Sequence, residues 1–374
     1  MTIGIDVTTL VYQGSGVANY TYNLVYNLLI QDKKNEYRLF YSSLRRPKKF
    51  NQLDEFKDLG AKIYEYRLPP KIFNYLWGKY HLVPVEWLIG KTDIFFSSDV
   101  LRPPLMPGTR GITTLHDLTW KLYPQYHMNS VIAAHENKLA KTLEYKDTII
   151  VDSENTKRDL LRLYPQASEN RIQAIYPGVD KKQFRPIKDQ DKIKAVLKKY
   201  NLASSGEFIL YVGAIEPRKH VDRAIRIFSQ LIEDPKYAHF KFVLTGQAGW
   251  NNEKEYELIK QLGLEERVIF TGYVDAVDLP YLYSAAATTV YLSEYEGFGL
   301  PPVESALCNT PVLLYKNSSL VELFKSNYLF AKEGDELSIL KQLVSERGER
   351  EFTLYLAADF SWSSYVDKFL ALCR

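Results

Sequence analysis

Cysteine is nearly missing from this chain of 374 residues: Cys308 and Cys373 are its two, too few for a disulfide framework or a zinc site, and a reducing cytoplasmic setting is the expectation. Long apolar runs are missing as well. No uninterrupted stretch reaches the roughly 18 residues that a membrane span needs, and the opening Met1-Thr-Ile-Gly-Ile-Asp-Val7 reads as a first strand in place of a signal peptide, so a soluble chain is expected. Charge of one sign is not in large excess. The net charge is +3, with 23 Lys+Arg against 19 Asp+Glu in residues 1–180 and 25 against 26 in the remainder. That basic bias suits anionic surfaces and is far from the clustered stripes of a nucleic-acid binder, so no nucleic-acid partner is expected. Metal-ligand spacing is missing too: the six histidines are scattered, and Asp189-Gln-Asp191 has no strand before it and reads as solvated charge. No metal site is expected.

What is present is an alternation of strand-like and helix-like runs, the pattern of parallel α/β layers. Strands are expected at 2–7, 36–41, 62–68, 93–97, 111–115, 148–151 and 171–176, then at 208–212, 241–244, 268–270, 288–291 and 311–314. Each half has enough strands for its own sheet, and a chain of this length is expected to form two domains. Apolar positions Val17, Tyr20, Leu24 and Leu28 fall at helical spacing, as do Val221, Ile225, Phe228 and Leu231 in a run from Lys219 to Leu231. Ser153 and Ser361 read as helix N-caps. The charged stretch around Lys181-Lys182, Pro186 and Lys188 to Lys192 marks a linker. The expected division is residues 1–178, a linker at 179–190, a second domain at 191–358, and a closing helix at 359–374 that could cross back to the first domain. Tyrosine is common, at 28 residues, which suits polyol contacts or generous core packing.

Ligands of doubly wound folds sit beyond the carboxyl ends of the strands, so the loops there carry the candidate chemistry. The most informative loop is Glu296-Gly-Phe-Gly-Leu-Pro-Pro-Val-Glu304. Gly297 and Gly299 permit close backbone approach to a bulky ligand, and Pro301 and Pro302 suit a first helical turn, so a helix is expected to begin near Pro301 with its N–H groups free for a phosphate. Glu304, one turn inside, is placed to chelate a diol, with Glu296 at the mouth of the loop. The alternative is a plain strand-turn-helix with two solvated glutamates. In Tyr12-Gln-Gly-Ser-Gly-Val-Ala-Asn-Tyr20, Gly14 and Gly16 lead into a helix start, either to receive a phosphate or as a simple glycine turn. His116 ends a strand, with Asp117 beside it either orienting the ring or capping the loop. In Val212-Gly-Ala-Ile-Glu-Pro-Arg-Lys219, Gly213 permits close approach and Arg218 with Lys219 offers a fork and a point charge to a diphosphate. Two cations at a helix start oppose its dipole, a conflict that an arriving anion would relieve.

The Glu296–Glu304 segment, with seven residues between the two glutamates, resembles the signature of retaining glycosyltransferases of family 4. The Gly14–Tyr20 segment, His116 and the Gly213–Lys219 segment resemble further motifs of that family. Departures stand at His220 in place of the usual Asn, Leu292 in place of Pro, and Asn309 in place of Gly. The resemblance implies a GT-B architecture, two doubly wound Rossmann-like domains facing a central cleft. It implies transfer of a hexose or deoxyhexose from a nucleoside-diphosphate sugar (GDP-, UDP-, dTDP- or ADP-linked) to a glycan or lipid-linked glycan, with no cofactor and no metal. In that scheme Glu304 binds ribose hydroxyls, Arg218 and Lys219 the diphosphate, and the backbone of Gly297, Phe298 and Gly299 the sugar and phosphate. Glu296 reaches the donor sugar near the reacting carbon, His116 lines the sugar pocket, and Gly14 and Gly16 open the acceptor-side domain. A non-catalytic nucleotide-sugar or glycan-binding homologue, a sugar-nucleotide epimerase of the same fold, and a sucrose- or glycogen-type synthase remain alternatives. Lys71-Ile-Phe-Asn-Tyr-Leu-Trp-Gly-Lys-Tyr-His-Leu82 and the Arg45-Arg46-Pro-Lys48-Lys49 cluster suit either a membrane surface or a partly buried helix with snorkelling lysines.

Overall fold

A computed structural model describes residues 1–12, 14–44, 50–98, 100–203, 205–246, 253–348 and 351–374. The Arg45–Lys49 basic cluster lies outside the described residues. The chain divides into two compact units, Met1–Gly178 with Phe360–Arg374, and Val179–Asp359.

The first unit is built on seven parallel strands: β1 (Thr2–Asp6), β2 (Glu36–Ser42), β3 (Lys62–Tyr66), β4 (Ile94–Ser97), β5 (Arg110–Leu115), β6 (Thr148–Val151) and β7 (Ile172–Ala174). Their order is β3-β2-β1-β4-β5-β6-β7, so the winding reverses between β1 and β4. The helix Gly16–Gln31 starts on Ser15, whose hydroxyl accepts from the Ala18 amide at 3.2 Å, and buries Tyr20, Leu24, Val25 and Leu28. Ser153 caps the helix Glu154–Leu163 in the same way, 3.1 Å from the Thr156 amide. The closing helix Trp362–Cys373, capped by Ser361, belongs to this unit: Tyr365, Val366 and Phe369 share a core with Ile3, Leu24 and Phe96. A Cβ on Gly178 would stand 2.3 Å from the Trp362 amide nitrogen. Only glycine lets the outgoing chain pass the returning helix so closely.

The second unit has five parallel strands, β8 (Phe208–Val212), β9 (Lys241–Thr245), β10 (Val268–Gly272), β11 (Thr288–Tyr291) and β12 (Val312–Leu314), in the order β10-β9-β8-β11-β12. The reversal falls between β8 and β11. Central β8 is buried at all five positions, which is why it reads as a continuous apolar run and not as an alternation. Strand ends differ from expectation by one or two residues, as at β3, which stops at Tyr66. The helix expected from Lys219 begins at Val221, because Pro217–Lys219 forms a separate 3-10 turn.

The expected linker at 179–190 is partly buried. Val179 and Phe184 are buried, the Phe184 ring meets Tyr283 edge-on at 6.2 Å, and the Ile187 amide donates to Ser284 Oγ at 3.0 Å. This segment packs onto the second unit, and Asp189 is the N-cap of the helix Gln190–Lys199. Both cysteines are free and buried. Among the described residues no helix is long and apolar enough to cross a membrane, and no group of three or more His, Cys, Asp or Glu could hold a metal ion.

Candidate active site

In the second unit the winding reverses between β8 and β11, so the loops leaving these adjacent strands meet. The loop after β8 carries Gly213, Arg218 and Lys219; the loop after β11 carries Glu296 to Gly299. Their junction is an ion pair: Arg218 Nη1 lies 2.9 Å from Glu296 Oε1. The Ser293 hydroxyl (2.7 Å) and the Tyr291 hydroxyl (2.9 Å) donate to the same oxygen. Burial pushes the Glu296 carboxyl up, but Arg218, Lys219 and the two hydroxyls outweigh it and hold the group below the ordinary glutamate range. Glu296 is therefore buried and ionised, not waiting at the mouth of the loop.

Arg218 also donates to the Tyr295 carbonyl at 2.6 Å and stands 3.4 Å from Glu216 Oε2. Hence the anion that two cations at this turn require is already supplied by the protein's own carboxylates. Lys219 is placed differently. Its Nζ lies 5.7 Å from the Tyr291 ring centroid and only 3.0 Å from where a Cβ on Gly213 would be. With φ at +149°, Gly213 is needed both for its backbone and for the space the lysine occupies. His220 has φ of +47° and flanks the helix Val221–Ile232, with its ring 3.6 Å from Glu294. Asn and His are among the side chains that tolerate this left-handed position.

Gly299, at φ +104°, sits at the start of the helix Leu300–Leu307, which carries Pro301 and Pro302 in its first turn. A Cβ there would lie 2.9 Å from the end of the Leu320 side chain, and the positive φ is a conformation that residues other than glycine rarely adopt. The Gly297–Gly299 backbone is clamped from behind. The Ser319 hydroxyl lies 2.8 Å from the Glu296 and Phe298 carbonyls, Ser318 Oγ accepts from the Glu296 amide at 3.1 Å, and Asn317 donates to the Ser293 and Glu294 carbonyls at 3.0 Å. The loop's shape thus depends on 317–319, to which sequence reasoning assigned no role.

Glu304 has a different environment. The Tyr283 hydroxyl donates to Oε2 at 2.9 Å, and burial pushes the carboxyl up to about 7, with the tyrosine bond only partly opposing. A carboxylate in this state gains from new hydroxyl donors, as a diol would supply.

In the first unit β5 and β6 pair with Leu115 opposite Val151. The next residues, His116 and Asp152, are therefore brought side by side, and Nδ1 lies 2.7 Å from Asp152 Oδ2. Burial works against a charge on His116, but Asp152 outweighs it and raises the imidazole's pKa; Asp152 is itself pushed up by burial, with His116 pulling against this. Asp117 caps the loop, accepting from the Thr119 amide (2.9 Å) and hydroxyl (2.6 Å), and its charge adds to the upward push on the imidazole. Tyr20 meets His116 edge-on at 4.6 Å.

His116 lines a cavity of about 190 Å³ with Val17, Thr114, Thr119, Trp120 and Lys138. Lys138 donates to the Thr114 carbonyl at 2.7 Å, and His135, stacked on Trp120, is pushed down to about 4 by burial and then by Lys138. Gly14, at φ +83°, and Gly16, with open space where a Cβ would stand, reach the same neighbourhood through Val17. The candidate residues thus form two groups: Gly14, Gly16 and His116 in the first unit, and Gly213, Arg218, Lys219, Glu296 to Gly299 and Glu304 in the second.

Residues 192–345 match the family model "Glycosyl transferases group 1". The chain is similar to O-antigen chain mannosyltransferase B of Escherichia coli, 26% identical over 365 residues, which span 94% of each chain. Among solved structures it is similar to Anabaena HepE in complex with UDP-glucose (TM-score 0.70, 14% identity, all of both chains). It is also similar to WaaG, described as a glycosyltransferase involved in lipopolysaccharide biosynthesis (TM-score 0.63, 16% identity, 99% of this chain and 95% of that one). The chain's two parallel-sheet units have the fold of these solved glycosyltransferases, the GT-B fold.

Proposed function

We propose that the chain is a retaining glycosyltransferase of the family 4 type, moving a hexose or deoxyhexose from a nucleoside-diphosphate sugar to a glycan or lipid-linked glycan. The carrying observation is the meeting of Arg218, Lys219 and Glu296 at the β8–β11 reversal, one turn of helix away from Glu304. Lys219 and the N–H groups at the start of Leu300–Leu307 receive the diphosphate, Glu304 accepts hydrogen bonds from the ribose diol, and Arg218 bridges phosphate to Glu296. In the transfer the bond from the anomeric carbon to the phosphate oxygen breaks and one to the acceptor oxygen forms on the same face. The acceptor's proton passes to the departing phosphate. Arg218, Lys219 and the helix terminus stabilise that leaving group without a metal ion, so activity is expected to persist in EDTA.

The likeness to an O-antigen chain mannosyltransferase over almost the whole chain supports mannose as the sugar and a surface-glycan acceptor. The UDP- and UDP-glucose-bound neighbours support a nucleoside-diphosphate donor without choosing its base. Peripheral contact with an anionic membrane is supported by the first unit's surface. There Ile72, Tyr75, Tyr80, Leu82 and Trp87 are exposed, while every exposed charge in 67–91 among Arg67, Lys71, Lys79 and Lys91 is cationic and the one acid, Glu86, is buried.

The test is a thermal-shift panel with GDP, UDP, dTDP and ADP, followed by transfer assays with the matching sugar nucleotides. A nucleotide at 100 times its dissociation constant adds about 2.7 kcal/mol, so one clear responder is expected. No response and no transfer from any of the four donors would remove this reading in favour of a binding protein that has lost catalysis.

A further inference from the structure

Asp152 is a costly residue to keep. Its carboxylate is buried, only Oδ2 has a partner, and Oδ1 has no hydrogen bond. A buried, half-satisfied carboxylate opposes folding. The obvious structural task at this position, capping the helix Glu154–Leu163, is performed by Ser153. What Asp152 does is hold His116.

The two ring nitrogens of His116 have opposite fates. Nδ1 is tied to Asp152, which does not line the cavity, whereas Nε2 is buried without a hydrogen-bond partner on a ring that does line it. The ring that carries this unmet nitrogen lines a cavity of about 190 Å³, and a buried ring nitrogen without a bond calls for a polar partner. Trp120 Nε1, also unpartnered, belongs to the same wall. The ring is held laterally as well. Tyr20 packs edge-on against it, and the Tyr20 hydroxyl is bonded to Thr114 Oγ1 at 3.0 Å and to the hydroxyl of Tyr365. Tyr365 comes from the closing helix Trp362–Cys373. The last helix of the chain thereby reaches the support of a residue placed by β5.

We propose that Asp152 is a positioning residue which, by holding Nδ1–H, turns His116 Nε2 toward a polar group of the sugar substrate, and that Tyr365 completes the support by holding Tyr20 against the ring. This rests on the sugar-transfer reading above. The charged and titratable groups around His116 are Asp152 from the end of β6, Asp117 from its own loop, and Lys138 and His135 from the helix Asn129–Glu144. Asp152 is bonded to the ring at 2.7 Å.

The experiment is an imidazole nitrogen NMR titration of the full chain, with the His116 signal assigned by its loss in His116→Gln, alongside pH profiles of kcat and kcat/KM. In the parent, His116 is expected to titrate above an ordinary histidine with Nδ1 protonated throughout. In Asp152→Asn the midpoint moves down and the acid-side limb of the rate profile moves with it. There kcat drops by about 10²-fold, as for a misplaced reacting contact, with KM for the sugar nucleotide little changed and thermal stability not reduced. Asp152→Ser serves as the second variant should the first fold poorly. Tyr365→Phe leaves the titration in place and lowers kcat; unchanged kcat there removes Tyr365 from the proposal. An unmoved titration and an unmoved pH profile in Asp152→Asn overturn the role of Asp152 while leaving the transfer reading intact. A parent protein that transfers no sugar sinks the transfer reading instead, and the role of Asp152 with it, even if the NMR coupling is seen.

Discussion

The strand-end sites of the two units handle charge in opposite ways. In the second unit Glu296 is buried but provided for: a guanidinium and two hydroxyls converge on one oxygen. In the first unit His116 Nε2, Asp152 Oδ1 and Trp120 Nε1 are buried with nothing to bond. The first unit's arrangement costs free energy until a ligand arrives; the second unit's is complete in itself and must be exchanged, contact by contact, for one. The same contrast recurs within the second unit. Glu296 and Glu304 belong to one motif, yet cations hold the first below the ordinary range and burial lifts the second to about 7.

The hardest way to break this comparison is Arg218→Ala. It leaves Glu296 buried without its guanidinium, and removing one partner of a buried pair costs about 3–5 kcal/mol. Denaturant unfolding measures this, and a loss below about 1 kcal/mol would mean that water already screens the pair. Next, Glu296→Ala is expected to retain affinity for the free nucleotide and to lose turnover by about 10²-fold or more, the scale of one electrostatic contact at a reacting centre. Weakened nucleotide binding in calorimetry would contradict that assignment.

Glu304 sharpens the contrast through pH. Its folded-state pKa of about 7 lies above the 4.5 of an unperturbed glutamate. Between these values the folded state holds a proton that the unfolded chain has lost, so this group makes stability fall as pH rises from about 4.5 to 7. Glu304→Gln should flatten that slope and be the more stable protein above pH 7, by about 3 kcal/mol at most. A diol that bonds the ionised carboxylate lowers its pKa, so nucleotide binding near pH 6 should release a proton, and titration calorimetry in two buffers should find no such release in Glu304→Gln. The smallest expected effect is that of His220→Asn, which suits the left-handed backbone better and should shift stability upward by no more than about 0.5 kcal/mol. A clear loss of stability would show that the His220–Glu294 contact matters more than the backbone.

All twelve strands were legible in the sequence, because buried parallel strands are apolar runs between turn residues and that signal is local. The Ser15, Ser153 and Ser361 caps lie beside the amides they serve; Ser153 and Ser361 are legible as caps, whereas Ser15 is masked by the glycines on either side. The candidate residues were found because each lies within a short motif. Their partners were not. Asp152 is 36 positions from His116 and meets it only through the β5–β6 register. Asn317 to Ser319 clamp the Glu296 loop from beyond β12, where no spacing rule points to them. The packing of the linker was not legible because charge marks solvent exposure, whereas Phe184 meets Tyr283 and the Ile187 amide bonds Ser284.

What the amino-acid sequence determined by itself was the alternation of elements, the two-sheet architecture and the identity of the carboxylates, cations and glycines at the strand ends. Those follow from periodicity and backbone chemistry over a few residues. Only the tertiary structure decided that Arg218 already holds an anion, that Asp152 meets His116, and that two glutamates of one motif differ in ionisation. Each depends on burial and on distances between residues far apart in the chain, and Coulombic and desolvation energies are set by such distances, not by residue order.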